Sequence, residues 1–136
     1  MAREIAAMRA IADEVAATGD AAFGATAPHL SEAIAALDRA TGFLSDALGK
    51  DAQGALAGAT PYLRLFALAL GGVCLARAGI AARRLAANGD PSQLGRVALA
   101  RFFAEKIAPG AGALDTAIRS GAGALRHYEA ALAEGI

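Results

Sequence analysis

Apolar residues recur along this chain at intervals of three and four, and nowhere with the period of two that marks a half-buried strand. In the first segment Ile5, Met8, Ala12 and Val15 share one face, while Arg3, Glu4, Arg9, Asp13 and Glu14 look away from it. Thr18-Gly19-Asp20 reads as its end. Thr26 to Pro28 offers a second start, after which Leu30, Ile34, Leu37, Thr41, Leu44 and Leu48 follow the steps of a bundle seam. Gly49-Lys50-Asp51 closes that helix and opens a short helical turn through Ala59.

The third long helix is apolar all round. Thr60 before Pro61 has the form of an N-cap followed by a proline at the first helical position; the alternative is a longer helix kinked at Pro61. One face carries Leu63, Phe66, Leu70, Val73 and Ile80, another Leu65, Leu68, Gly72, Leu75 and Gly79, and both are expected to be buried before the stop at Asn88-Gly89. A helix without a polar side lies centrally in a core or against something else. Asp90-Pro91-Ser92-Gln93 resembles a capping box opening a fourth helix to Pro109, with Leu94, Val97, Ala98, Phe102 and Ile107 inward. Leu114, Ile118, Gly121, Leu125, Tyr128 and Leu132 repeat the seam in a last helix. Short connections favour antiparallel neighbours, so the pattern predicts an all-α fold: an up-and-down antiparallel bundle of four to five helices, one domain over residues 1–136.

Composition supports this reading and narrows it. Alanine makes up roughly three residues in ten, which favours helix and lets helix axes approach closely. Aromatic residues are 5% of the chain and Trp is absent, so the core has to be thin and filled by small side chains. Thirteen basic residues balance 13 acidic ones, which leaves no field to draw the chain to nucleic acid or anionic lipid. The uncharged apolar run between Arg64 and Arg77 is shorter than the ~20 residues of a membrane span. A lone cysteine and an N-terminus without a signal-peptide core point to a soluble, cytoplasmic chain.

Candidate chemistry is sparse. Cys74 sits mid-helix among apolar residues and glycines, the setting of a core thiol rather than a nucleophile. His29 and His127 belong to no paired-ligand spacing. Met8 and His127 would have to meet across the bundle to hold a haem, and an alanine core leaves little room for one. Glu105, Asp115 and Glu129 stand beside polar or basic neighbours, as on solvated helix faces. Arg77, Arg83 and Arg84 read either as a phosphate patch or, more plainly, as favourable charge near a helix C-terminus and on the surface. The clusters Gly110 to Gly112 and Gly121 to Gly123 follow no strand, so they are not dinucleotide loops; they read as a turn and a close helix crossing. No catalytic, cofactor-binding or metal-ligating residue is assigned.

Two motifs carry a resemblance. Thr60-Pro61-Tyr62-Leu63-Arg64-Leu65-Phe66 with Gly71-Gly72 and Leu75-Ala76-Arg77, and then Ala100-Arg101-Phe102-Phe103-Ala104-Glu105-Lys106-Ile107-Ala108-Pro109, resemble the C-terminal helical domain of the longer bacterial acyl-CoA dehydrogenases. Looser similarity covers roughly residues 30 to 128. Relatives often have Gly at Ala67, Trp at Val73 and His at Lys106; the first two imply altered packing and the third removes a candidate histidine site. In that family a glutamate takes the α-proton of an acyl-CoA thioester, and FAD accepts the β-hydrogen as hydride before passing electrons to an electron-transfer flavoprotein. The groups that do this lie in preceding domains, outside the matched motifs. The resemblance therefore implies a non-catalytic bundle, without cofactor of its own, that serves subunit assembly or covers the substrate cleft. Its implied partners are the upstream dehydrogenase domains, a second copy of the chain and, for the parent enzyme, the electron-transfer flavoprotein. A free-standing adaptor or self-associating bundle is the rival reading.

Overall fold

A computed structural model describes residues 1–121 and 123–135, apart from the side chains of Ala124 and Leu125, and these residues are helical with no strand among them. In chain order the helices are α1 (Ala2–Ala17), α2 (Thr26–Leu48), α3 (Ala52–Ala57), α4 (Ala59–Ala87), α5 (Gly95–Lys106), α6 (Ala111–Arg119) and α7 (Gly123–Ala133). Short 3₁₀ turns at Ala21–Phe23 and Ala108–Gly110 join α1 to α2 and α5 to α6. The long helices α2 and α4 form the centre, and α1, α5 and α6 each pack against both.

The first two seams fold as their spacing predicts. Ile5, Met8, Ala12 and Val15 are buried on α1, as are Leu30, Ile34 and Leu37 on α2. The α2 seam opens toward its C-terminus, where Leu48 is exposed. Gly19, in the left-handed region at φ 59°, turns the chain out of α1, and the Asp51 carboxylate accepts from the Gly54 amide at 3.0 Å to start α3. Helix α4 starts at Ala59, so Pro61 falls in the first turn, where its missing N–H costs no helical bond and no kink is needed. Thr60 thus lies inside the helix, and no side chain caps this end.

Helix α4 is the one helix among the described residues long and apolar enough to cross a membrane, with a mean hydropathy of 1.9 over its most apolar window. Here part of that surface packs against α1, α2, α3, α5 and α6. Leu65, Ala69, Gly72, Val73, Ala76, Gly79, Ile80 and Ala82 are buried. The expectation that both faces are covered fails at Leu63, which is 68% exposed, and at Leu70, which is 39% exposed.

Glycines set the helix spacing. A Cβ on Gly72 would come within 2.8 Å of Leu30 Cδ1, and one on Gly79 within 2.9 Å of Phe23 Cε1 and 3.5 Å of the Val97 Cα. Phe103 lies over Gly71 and Gly72. This corrects the inward set of the fourth helix: Val97, Ala100 and Ala104 are buried on α5, Phe103 is partly buried, and Ala98, Phe102 and Ile107 are exposed. Helix α5 also begins later and ends earlier than expected. Asp90 Oδ1 accepts from the Ser92 amide at 3.0 Å, while Gln93 Oε1 accepts from Arg96 instead of closing a capping box.

The expected last helix is two helices. Gly121 adopts φ 63° and breaks the seam between α6 and α7. Tyr128 and Leu132 are exposed on α7, and the Leu125 side chain lies outside the described residues.

Asp115 is the largest departure on α6. The spacing Ala111, Asp115, Ile118 places it on the buried face, where it is 2% exposed. Its carboxylate accepts from Arg39 Nε at 3.0 Å and from Arg119 Nε at 2.8 Å, which ties α6 to α2. Burial pushes the Asp115 carboxyl up, but the hydrogen bonds and charges of Arg119 and Arg39 outweigh that and hold it below its ordinary range. Because the folded-state value is the lower one, the linkage adds stability above the ordinary carboxylate value of about 4. That stability is lost as pH falls through the folded-state value.

Three substitutions test this packing by thermal or denaturant unfolding. Asp115→Ala should cost about 2 kcal/mol, since both arginine heads remain half-exposed to water and the loss stays below the ~3–5 kcal/mol of a fully buried broken pair; the deficit against the parent chain should shrink at acid pH. Gly79→Ala should destabilise by about 1 kcal/mol, because overpacking against Phe23 exceeds the helix-propensity gain. Gly42→Ala, in open space on α2, should stabilise by about 0.5–1 kcal/mol.

Candidate functional site

The densest polar arrangement outside the Asp115 cluster lies where the first 3₁₀ turn meets α4 and α5. The Asp20 carboxylate accepts from the Ala22 amide at 2.9 Å to start the turn, and its other oxygen pairs with Arg83 of α4. Gly24 follows at φ 50°, a left-handed conformation that glycine adopts without strain. A Cβ there would also collide with Arg101 and Glu105, at 2.4 Å from each. Through that gap Glu105 Oε1 reaches the Ala25 amide at 3.1 Å and Arg101 Nε at 2.9 Å. The Ala25 amide lowers the Glu105 carboxyl, burial opposes this, and Arg101 adds to the lowering.

Beside the clamp is a cleft of about 460 Å³ floored by Leu94, Val97 and Ala98 and rimmed by Arg83, Arg101, Phe102 and Lys106. Two of its cations are already matched, Arg83 by Asp20 and Arg101 by Glu105. A second, apolar groove of about 370 Å³ opens between α2, α3 and the start of α4, with Met1, Leu44, Leu48, Leu56 and Tyr62 in its wall. Thr41 Oγ1 and the Tyr62 hydroxyl are 2.9 Å apart at its base and tie α2 to α4.

The structure disperses the remaining sequence candidates. Arg84 pairs with Glu14 of α1, Arg83 with Asp20, and Arg77 has no ion pair among the described residues, so the three arginines make no joint anion site. Cys74 is exposed on α4, which corrects its assignment to the core: it falls on the side of the helix opposite Ala69 and Ala76. Met8 is buried on α1 while His127 is exposed on α7, and neither lines the clefts described above. His29 is half-buried in the first turn of α2, and Glu129 is exposed. No atom lies within 4 Å of a Cβ placed on Gly110, Gly112 or Gly123, while Gly121 forms the turn between α6 and α7 and has Phe43 of α2 in ordinary contact, 3.7 Å from such a Cβ. No group of three metal-ligating side chains occurs among the described residues.

Glu105 and Asp115 thus hold structure together where solvated faces were expected. Arg119 lies four residues from Asp115, but the burial of Asp115 and its bond to Arg39, 76 residues back, needed the fold, as did the Glu105 role, whose partner Ala25 is 80 residues away. Glu105→Ala should lower the melting temperature and speed hydrogen exchange at the Ala25 amide, whereas Glu105→Gln, which keeps an acceptor oxygen, should retain most of the amide's protection. As the Glu105 carboxyl is lowered on folding, its contribution is present at neutral pH and is lost as pH falls through the folded-state value.

Comparison with known proteins places this arrangement. No curated protein and no solved structure matches the chain. A family model described as acetyl-CoA dehydrogenase C-terminal like matches residues 4–128, which takes in both motifs and all but the last turns of α7. With that match spanning nearly the whole fold, the chain belongs to the acetyl-CoA dehydrogenase C-terminal-like family.

Proposed function

We propose that this chain is the non-catalytic C-terminal bundle of an FAD-dependent acyl-CoA dehydrogenase, and that it serves subunit assembly or covers the substrate cleft. The family match over residues 4–128 carries the reading. The chemistry belongs to the rest of the enzyme: a glutamate and FAD there would desaturate the acyl-CoA thioester between its α and β carbons, with an electron-transfer flavoprotein as acceptor and the cytoplasm as the setting. In this reading the core is an up-and-down bundle built around α2 and α4.

The residues of this chain do not suit a flavin. The cation-rimmed cleft has its arginines engaged by Asp20 and Glu105, and no glycine-rich turn leads from it into a helix N-terminus that would receive a pyrophosphate. No step of the reaction is therefore assigned to these side chains. What suits the bundle to a docking role is the apolar groove between α2, α3 and α4. Leu48 and Leu56 are 61% and 68% exposed there, and Met1 forms part of the wall, so a domain joined ahead of Met1 would enter the fold beside that groove.

The purified chain is expected to be colourless and to leave acyl-CoA unoxidised when FAD and electron-transfer flavoprotein are supplied. A flavin absorbance band that co-purifies with it would overturn the assignment.

A further inference from the structure

The apolar groove between α2, α3 and the start of α4 has one polar feature at its base, a pair of hydroxyls with two protons between them. Thr41 Oγ1 donates its single proton to the Leu37 carbonyl at 2.7 Å. A carbonyl only accepts, so that proton is committed. The 2.9 Å contact between Thr41 Oγ1 and the Tyr62 hydroxyl therefore runs the other way, with Tyr62 donating and Thr41 accepting. Tyr62 is left with an unshared electron pair and no proton to give. The base of this groove accepts and does not donate.

The walls restrict the guest further. Leu44, Leu48, Leu56 and Ala59 supply hydrocarbon, and among the described residues no charged side chain lines the groove. Ser45 carries the third hydroxyl and is exposed to water. An ion placed here would lose hydration against an apolar wall and meet no counter-charge. A pure hydrocarbon would displace water from the Tyr62 oxygen and leave its bond unmade. A guest with an apolar body and one donor incurs neither loss. The volume of about 370 Å³ also lies within the range of small-molecule sites.

We propose that this groove binds an uncharged, mainly hydrocarbon small molecule whose single N–H or O–H donates to the Tyr62 hydroxyl oxygen. Thr41 is a positioning residue in this arrangement: by passing its own proton to Leu37 it turns the phenol into an acceptor. The docking role given to this face uses its exposed rim, Leu48 and Leu56, and leaves the base unassigned. The inference does not rest on the dehydrogenase reading, since it involves neither flavin nor thioester and is measured on the chain alone.

Titrations with indole and N-methylindole, followed in amide proton–nitrogen correlation spectra, test it. Indole should produce saturable shifts at the amides of Leu44, Leu48, Ala55 and Tyr62. N-methylindole is the more apolar of the two but has no donor, and should bind about three- to tenfold more weakly, the worth of one neutral hydrogen bond. Tyr62→Phe should bring the two probes level. Thr41→Val should return a free proton to Tyr62, so that quinoline, an acceptor without a donor, gains on indole; a merely structural Thr41 would weaken both alike. Ala59→Leu, which adds bulk from an exposed wall position, should abolish binding and leave the melting curve nearly unchanged. No saturation by indole, shifts centred away from the groove, N-methylindole binding as tightly as indole, or an unchanged quinoline preference in Thr41→Val would each overturn the proposal. So would a dimer on sedimentation that closes the groove to indole, since its occupant would then be a second copy.

Discussion

Gly72 and Gly79 leave α4 bare where Leu30, Phe103 and Phe23 press against it, and the rest of the fold is arranged around that closeness. A single methyl at either position would come within 2.9 Å of a neighbouring side-chain carbon. The alanines of α2 and α5 extend the same condition, since Ala33, Ala36 and Ala40 on one helix and Ala100 and Ala104 on the other are buried without filling much space. Interiors of this kind gain dispersion energy by bringing backbones together rather than by interlocking long side chains. The few large side chains then become local determinants: Phe23 fits at Gly79 because that position has no side chain, and the left-handed Gly24 turns the chain away immediately after it.

How much of this was legible in the sequence depended on whether a residue's role was local. On α1 and the first half of α2 the apolar spacing identified the buried residues, because one face of each helix meets the core and the opposite face is charged. On α4 the same reasoning could not separate inside from outside. Leu65 and Leu63 are chemically alike, yet one is fully buried and the other 68% exposed. Alanine and glycine defeated periodicity on α5 as well: the true inward residues, Val97, Ala100 and Ala104, are small, so the larger Phe102 drew the inference to the wrong face. The break at Gly121 was hidden for a related reason, since a glycine on a seam looks the same whether it permits a crossing or a turn.

The polar sites follow the same division. Asp51 and Asp20 act within three residues of themselves, so their capping roles follow from their place at helix starts. Glu105 acts across 80 residues, and Asp115 combines a partner four residues on with one 76 residues back. A carboxylate with basic neighbours in sequence looks solvated; only the packing of α5 against the first 3₁₀ turn, and of α6 against α2, turns these two into buried or half-buried acceptors. Their partners keep one side open to water, which is how a core this poor in polar atoms tolerates charge. Among the described residues no buried side-chain nitrogen or oxygen lacks a partner.

Helix α4 has two unlike sides. Its inner side is specified by glycine and alanine against the neighbouring helices, and a sequence selected only for that packing would be free to place lysine and glutamate on the outer side. Instead Leu63, Ala67, Leu70 and Cys74 occupy the outer stripe, in a chain that has 26 charged residues available for its surface. Lone exposed leucines are ordinary on soluble proteins. Apolar residues in unbroken three-four succession along one helix are different, because any single charge in the row would end the stripe at little cost to the fold. Arg77 does end it. The hydrophobicity of this helix is thus accounted for by the core on its inner side, while the outer row from Leu63 to Cys74 stays exposed as far as Arg77.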